Sequence, residues 1–178
     1  MDRKFLRWSA LFLWCVLLIG NAVKSQAQSS ATEEAQSLKL VLDKTHDLLD
    51  RENAKDFDAV RKFVWDSPSA LFVAKTATAE EGNWTGFWGY DVVVQHLHDI
   101  LFGGPFRIDP DYTKAHAVLF THDVAETYVP VQITVAYGGQ QPVPKPFLLL
   151  MDWIKVGSDW KMASDIAIPV PPPPAAEK

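Results

Sequence analysis

Hydrophobic positions recur with a period of two on both sides of Gly157-Ser158-Asp159, over Phe147–Val156 and over Trp160–Ala167. That period predicts two long strands closed into a hairpin, with glycine at a loop position that tolerates positive φ. With a three-residue loop, Val156 faces Trp160, Ile154 faces Met162 and Asp152 faces Ser164. One face then carries Leu148, Leu150, Asp152, Ile154, Val156, Trp160, Met162, Ser164 and Ile166. The other carries Phe147, Leu149, Met151 and Trp153, so both faces call for cover. A single carboxylate, Asp152, interrupts an otherwise apolar row. A shift of one residue would turn Asp152 to solvent and Trp153 inward, and the alternation alone does not decide between the two.

Upstream the period changes. From Glu33, Leu38, Val41, Leu42, Thr45, Leu48 and Leu49 form a helical stripe that Asn53-Ala54-Lys55 ends. Asp56 reads as the N-cap of a short helix bearing Phe57, Val60 and Val64 on one face, closed at Asp66-Ser67-Pro68. Ser69–Lys75 reads as a strand, and Thr76–Gly86 as a loop holding the sequon Asn83-Trp84-Thr85, which matters only in a eukaryotic host. A third helix is predicted from Gly89, with Val93, Leu97, Ile100 and Leu101 on one face. The alternation Val92, Val94, His96, His98 is the rival strand reading. Gly103-Gly104-Pro105 stops the helix. Strands follow over Phe106–Ile108, Thr113–Thr121 and Val124–Tyr137, with Pro130 marking a bulge or an edge. Gly138–Pro142 is the next turn, and residues 170–178, rich in proline, are expected to be extended and disordered.

Composition adds export. Arg3, Lys4 and Arg7 precede the apolar run Leu11–Ile19, and Ser25-Gln26-Ala27 supplies small residues for cleavage before Gln28. Gly20-Asn21-Ala22 is a second possible cut. The run falls short of the roughly 20 apolar residues of a membrane span, so a cleaved signal peptide over 1–27 is expected rather than a stable anchor, with a periplasmic or secreted product. The one cysteine, Cys15, lies in that segment. A chain from Gln28 would hold 13 basic and 21 acidic residues, a net charge of −8. That excess argues against nucleic acid as a partner. Without cysteine, disulfides, thiol nucleophiles and cysteine-bound metals are excluded. The remaining length is enough for one domain held by core burial.

Helices first and strands last define an α+β chain. The order of elements resembles the nuclear transport factor 2-like superfamily, in its SnoaL-like, secreted bacterial branch. The likeness rests on Asp56 before Phe57-Asp58-Ala59-Val60, on Gly89-Tyr90-Asp91-Val92-Val93 opening the third helix, and on Trp160–Asp165 after a glycine-containing turn. It spans residues 35–169, between a flexible 28–34 and the proline tail. The resemblance implies a cone: a strongly curved antiparallel sheet wrapped around a long helix, with about three helices, five to six strands and a pocket at the open end. That family includes ketosteroid isomerases, dehydratases and cyclases as well as non-catalytic binders, so the fold leaves the function open. It also implies a homodimer through the outer sheet face, here assigned to Phe147, Leu149, Met151 and Trp153.

Within such a cone Asp152 is the first candidate base, because an acid on an apolar row loses hydration and holds its proton. His96, on the flank of the third helix, and His116, on a strand face with Val118 and Phe120, are the candidate acid partners. Either histidine is more commonly a half-buried structural residue. Trp84, Trp88 and Tyr128 are placed at the cone mouth, with Ser164 opposite Asp152, as ligand contacts for a small apolar molecule; Tyr128 doubles as an oxyanion donor. His96 and His98 diverge on a helix and His116 and His122 lie far apart, so no metal and no cofactor is expected. Two functions remain: an exported binding or assembly domain, or a cofactor-free isomerase, dehydratase or cyclase.

Overall fold

The computed structural model describes residues 28, 30–75, 84–136 and 141–170. The expected signal peptide, Asn83, Gly138–Gln140 and the tail beyond Val170 lie outside the described residues. Residues 30–37 are helical and mostly exposed, and a separate compact unit starts at Leu38. Within that unit helix α1 runs to residue 53 and buries Val41, Thr45, Leu48, Leu49 and Glu52 along one stripe. Among the described residues no helix is long and apolar enough to cross a membrane.

Helix α2 spans Phe57–Phe63. The Asp56 carboxylate accepts from the Ala59 N–H at 3.2 Å, as an N-cap does. Strand β1 (Leu71–Lys75) pairs antiparallel with β2 (Trp84–Trp88), a strand where the polar sequence had suggested a loop. Gly89 follows at φ +91°, a conformation side chains resist, and starts α3 (Tyr90–Phe102). The helical reading of this stretch therefore holds over the strand reading, with Val93, Leu97 and Leu101 buried.

The remaining strands are β3 (Phe106–Pro110), β4 (His116–Thr121), β5 (Val124–Val135), β6 (Lys145–Val156) and β7 (Asp159–Pro169), with a 3₁₀ turn at Tyr112–Lys114. They join β1 and β2 in one curved, open sheet of order β2-β1-β7-β6-β5-β3, with β4 also on β5. All pairs are antiparallel except β1 with β7. Pro130, with no N–H to give, stands where β5 passes from β4 to β3.

The β6–β7 hairpin corrects the expected register. Its loop has two residues, Gly157 and Ser158, with Gly157 at φ +64°, as two-residue hairpins with glycine first require. Val156 therefore faces Asp159, Ile154 faces Lys161 and Trp153 faces Met162. The register then shifts: Asp152 faces Ser164, leaving Ala163 as an extra residue in β7. Such a bulge reverses which side of a strand each later residue occupies. Trp160 and Met162 before it, and Asp165 and Ala167 after it, thus all point to one face and are all buried.

That face is the core. It holds Leu149, Met151 and Trp153 of β6, each at most 2% exposed, and the helices lie against it. Phe63 of α2 meets the Trp153 ring edge-on, and Thr45 of α1 hydrogen-bonds Thr127 of β5, which also accepts from the Trp153 indole N–H at 3.2 Å. The row expected to form a dimer surface is therefore interior. Leu148, Leu150, Asp152 and Ile154 occupy the opposite, half-buried face.

Trp153→Ala should cost about 3–5 kcal/mol in urea unfolding, while Ile154→Ala should cost less than half as much. The reverse order would mean that the faces are assigned the wrong way round.

Candidate active site

Strand register places Phe87, Phe72, Asp165, Met151, Thr127 and Ala117 in one transverse row on the inner face. Asp165 therefore sits between Phe72 and Met151 and is 5% exposed. Its Oδ1 is buried with no hydrogen-bond partner. Burial pushes its pKa up to about 7, because the surroundings cannot solvate the ionised form. From α1, Glu52 reaches the same interior at 3% exposure. Its pKa is raised well above the ordinary value, first by burial and then by the negative charge of Asp165. The two acids thus form a coupled pair, in which ionising Asp165 tightens the hold of Glu52 on its own proton.

His96 borders this region. Its ring stacks on Phe87 at 3.6 Å between centroids and meets Phe72 edge-on at 5.1 Å. Burial lowers its pKa, outweighing the pull of Asp99, so the imidazole is mainly neutral near pH 7. A second polar group lies where α1 meets the 3₁₀ turn, with the His46 and Tyr112 rings 3.8 Å apart. Burial and nearby Asp50 push the Tyr112 phenol up to about 12. Among the described residues no three His, Cys, Asp or Glu side chains gather as metal ligands would.

The other anticipated residues fall elsewhere. Asp152 lies on the outer face, where its Oδ2 accepts from the Ser164 hydroxyl at 2.5 Å. Register sets Trp88, Leu71, Ser164, Asp152, Glu126 and Val118 in one outer row. His116 is on the same face but exposed, facing Tyr128 and through it Leu150. Two strands and one row separate it from Asp152, roughly 12 Å between Cα atoms by standard strand spacings. His96 is on the inner face, so neither histidine forms the expected couple with Asp152. Trp88 and Tyr128 are 62% and 38% exposed on the outer face, away from the acid pair. Trp84 belongs to β2, and its side chain lies outside the described set.

Glu52 was accessible to sequence reasoning and was missed. It follows Leu48 by four residues and Leu49 by three, so one more turn of the same stripe reaches it. Asp165 carried no such signal, because its direction depends on the bulge at Ala163.

No protein-family model and no curated protein sequence matches this chain. Solved structures do. A candidate dehydratase of the nuclear transport factor 2-like family from Streptomyces avermitilis matches with a TM-score of 0.63 at 16% identity, over 78% of this chain and 99% of its own. A candidate scytalone dehydratase from Novosphingobium aromaticivorans matches at 0.61 and 11% identity, over 79% and 88%. A nuclear transport factor 2-like protein from Cytophaga hutchinsonii matches at 0.56 and 16%, over 74% and 97%. The chain has the nuclear transport factor 2-like fold.

The acid pair leaves a signature in stability. Asp165 has its folded pKa raised from 3.8 to about 7, so its contribution is full below about pH 4 and disappears as pH rises through 7. Relative to Asp165→Asn, the natural protein should lose about 1.4 kcal/mol per pH unit across that window. Chemical denaturation of both proteins at several pH values measures the difference, and parallel profiles would contradict it.

Proposed function

We propose that this chain is an exported domain that binds a small, largely apolar molecule at the interior face around Glu52 and Asp165. The observation that carries this reading is the burial of two like acids together. Placing an isolated acid in an apolar interior costs several kcal/mol, and apolar side chains of similar volume would pack there without that penalty. Strongly perturbed acids of this kind concentrate at functional sites. Phe72, Phe87 and Met151 supply the apolar lining. The export part rests on the basic, apolar and small-residue pattern of residues 1–27.

A second reading makes the same site catalytic. An acid that exchanges its proton near neutrality suits proton transfer in a cofactor-free lyase or isomerase. Asp165 and Glu52 take the roles first sought at Asp152, with His96 as the neighbouring imidazole. Two structural neighbours described as candidate dehydratases are in keeping with this chemistry.

Ligand-observed NMR with small ketones, alcohols and amines tests the site. At least one compound should bind saturably and weaken tenfold or more, about 1.4 kcal/mol, in both Asp165→Asn and Glu52→Gln. Binding that is equal in natural and variant proteins would contradict the interior site.

We also propose self-association through the outer sheet face. Leu71, Leu150, Ile154 and Ile166 are half-buried there, beside exposed Trp88 and Val118. An apolar face of this extent suits a partner of the same kind. Sedimentation should show a dimer that Leu150→Lys converts to a folded monomer. A natural protein that sediments as a monomer at high concentration would contradict it.

A further inference from the structure

Given the interior site proposed above, we infer that its ligand is a small organic cation, a primary or secondary amine on an apolar body, whose N–H donates to Asp165 Oδ1 beside Glu52. This inference rests on that reading and adds the chemical class.

Three observations point to a cation. First, Asp165 Oδ1 is a buried acceptor lacking a donor, in a side chain 95% removed from solvent. A buried acceptor left unsatisfied is costly, and a ligand donor removes that cost. Second, no countercharge to the pair is found among the described residues. Among the described residues no salt bridge reaches Glu52 or Asp165. Among the described residues, the region is approached by Glu52 from α1, Asp165 from β7 and His96 from α3, with Phe72 of β1 and Met151 of β6 on either side of Asp165. Burial drives His96 towards its neutral form. Third, the neighbouring surfaces are aromatic. Phe72 is the lateral partner of Asp165, and Phe87 is next in the same row. Ring faces attract cations and repel anions, so aromatic neighbours suit an ammonium better than a carboxylate, one face of Phe87 being taken by His96.

A neutral alcohol could satisfy Oδ1, but it would leave any negative charge on the pair uncompensated. An ammonium meets both needs. On binding, Asp165 gives its proton to solvent and stands as a carboxylate against the ammonium, while Glu52 keeps its proton. Affinity should therefore rise with pH through the range where Asp165 would otherwise stay protonated. From pH about 6 to about 8 the gain is roughly tenfold, until the amine itself begins to deprotonate.

The test is isothermal titration calorimetry of the full mature chain with primary amines from ethylamine to 2-phenylethylamine, each matched with its alcohol. The expected result is that one or more amines bind at least tenfold tighter than the paired alcohol at pH about 8. Their affinity should fall roughly tenfold at pH about 6, with heats in two buffers reporting net proton release at the lower pH. Asp165→Asn should abolish both the preference and the pH dependence. If that variant does not fold, Glu52→Gln and the pH profile of the natural chain carry the comparison. Alcohols binding as well as or better than amines would overturn the cation class while leaving the interior site in place. No binding by either series, nor by the small ketones, would overturn both.

Discussion

One extra residue in β7 decides what this fold has inside. The register shift at Ala163 lets Trp160 and Met162 pack inward near the hairpin loop and then turns Asp165 and Ala167 to the same side. Without it, strict alternation would carry Ser164 and Ile166 to the core and leave Asp165 on the outer face. A bulge costs one unpaired residue in the ladder and re-aims every side chain beyond it. Here it exchanges a serine for a carboxyl in the interior, beside an acid brought by α1. It also leaves Ser164 on the outer face to bond Asp152.

The interior acids and the packed core depend on each other. Trp153, Met151 and Leu149 exclude water from the sheet face, and exclusion of water is what raises the carboxyl pKa values. Elsewhere in the same row the polar group is satisfied: Thr127 of β5 bonds Thr45 and receives the Trp153 indole N–H. Asp165 is not, and its open acceptor sits in an environment where unsatisfied polar atoms are rare. The contrast separates polar groups that hold the fold from the one at which we propose that a ligand binds.

Much of the architecture is legible in the residues. The stripe on α1, the Asp56 cap, the α3 face and the long hairpin follow from periods of 3.6 and 2 and from turn chemistry, and the fold suggested by their order matches the solved neighbours. Strand β2 was obscured because Trp84–Trp88 contains a glycine and lies next to a polar stretch. The site was harder. Asp152 looked interior because an unbroken period of two, counted from a three-residue loop, brings it onto the same row as Trp160 and Met162. A shorter loop and a compensating bulge preserve its pairing with Ser164 while reversing the face. Alternation records which residues share a side only until the ladder slips, and Ala163 has no side-chain property that announces the slip. His96 was correctly singled out on α3, but its neighbours are Phe72 and Phe87 rather than Asp152.

Asp165 lies inside and keeps its proton where ordinary aspartates have lost theirs. Selective ¹³C labelling of the aspartate side chains, with Asp165→Asn to assign its resonance, follows that carboxyl directly through a pH titration. The expected midpoint for Asp165 is about 7. A midpoint at the ordinary 3.8 would place the carboxyl in water and contradict it.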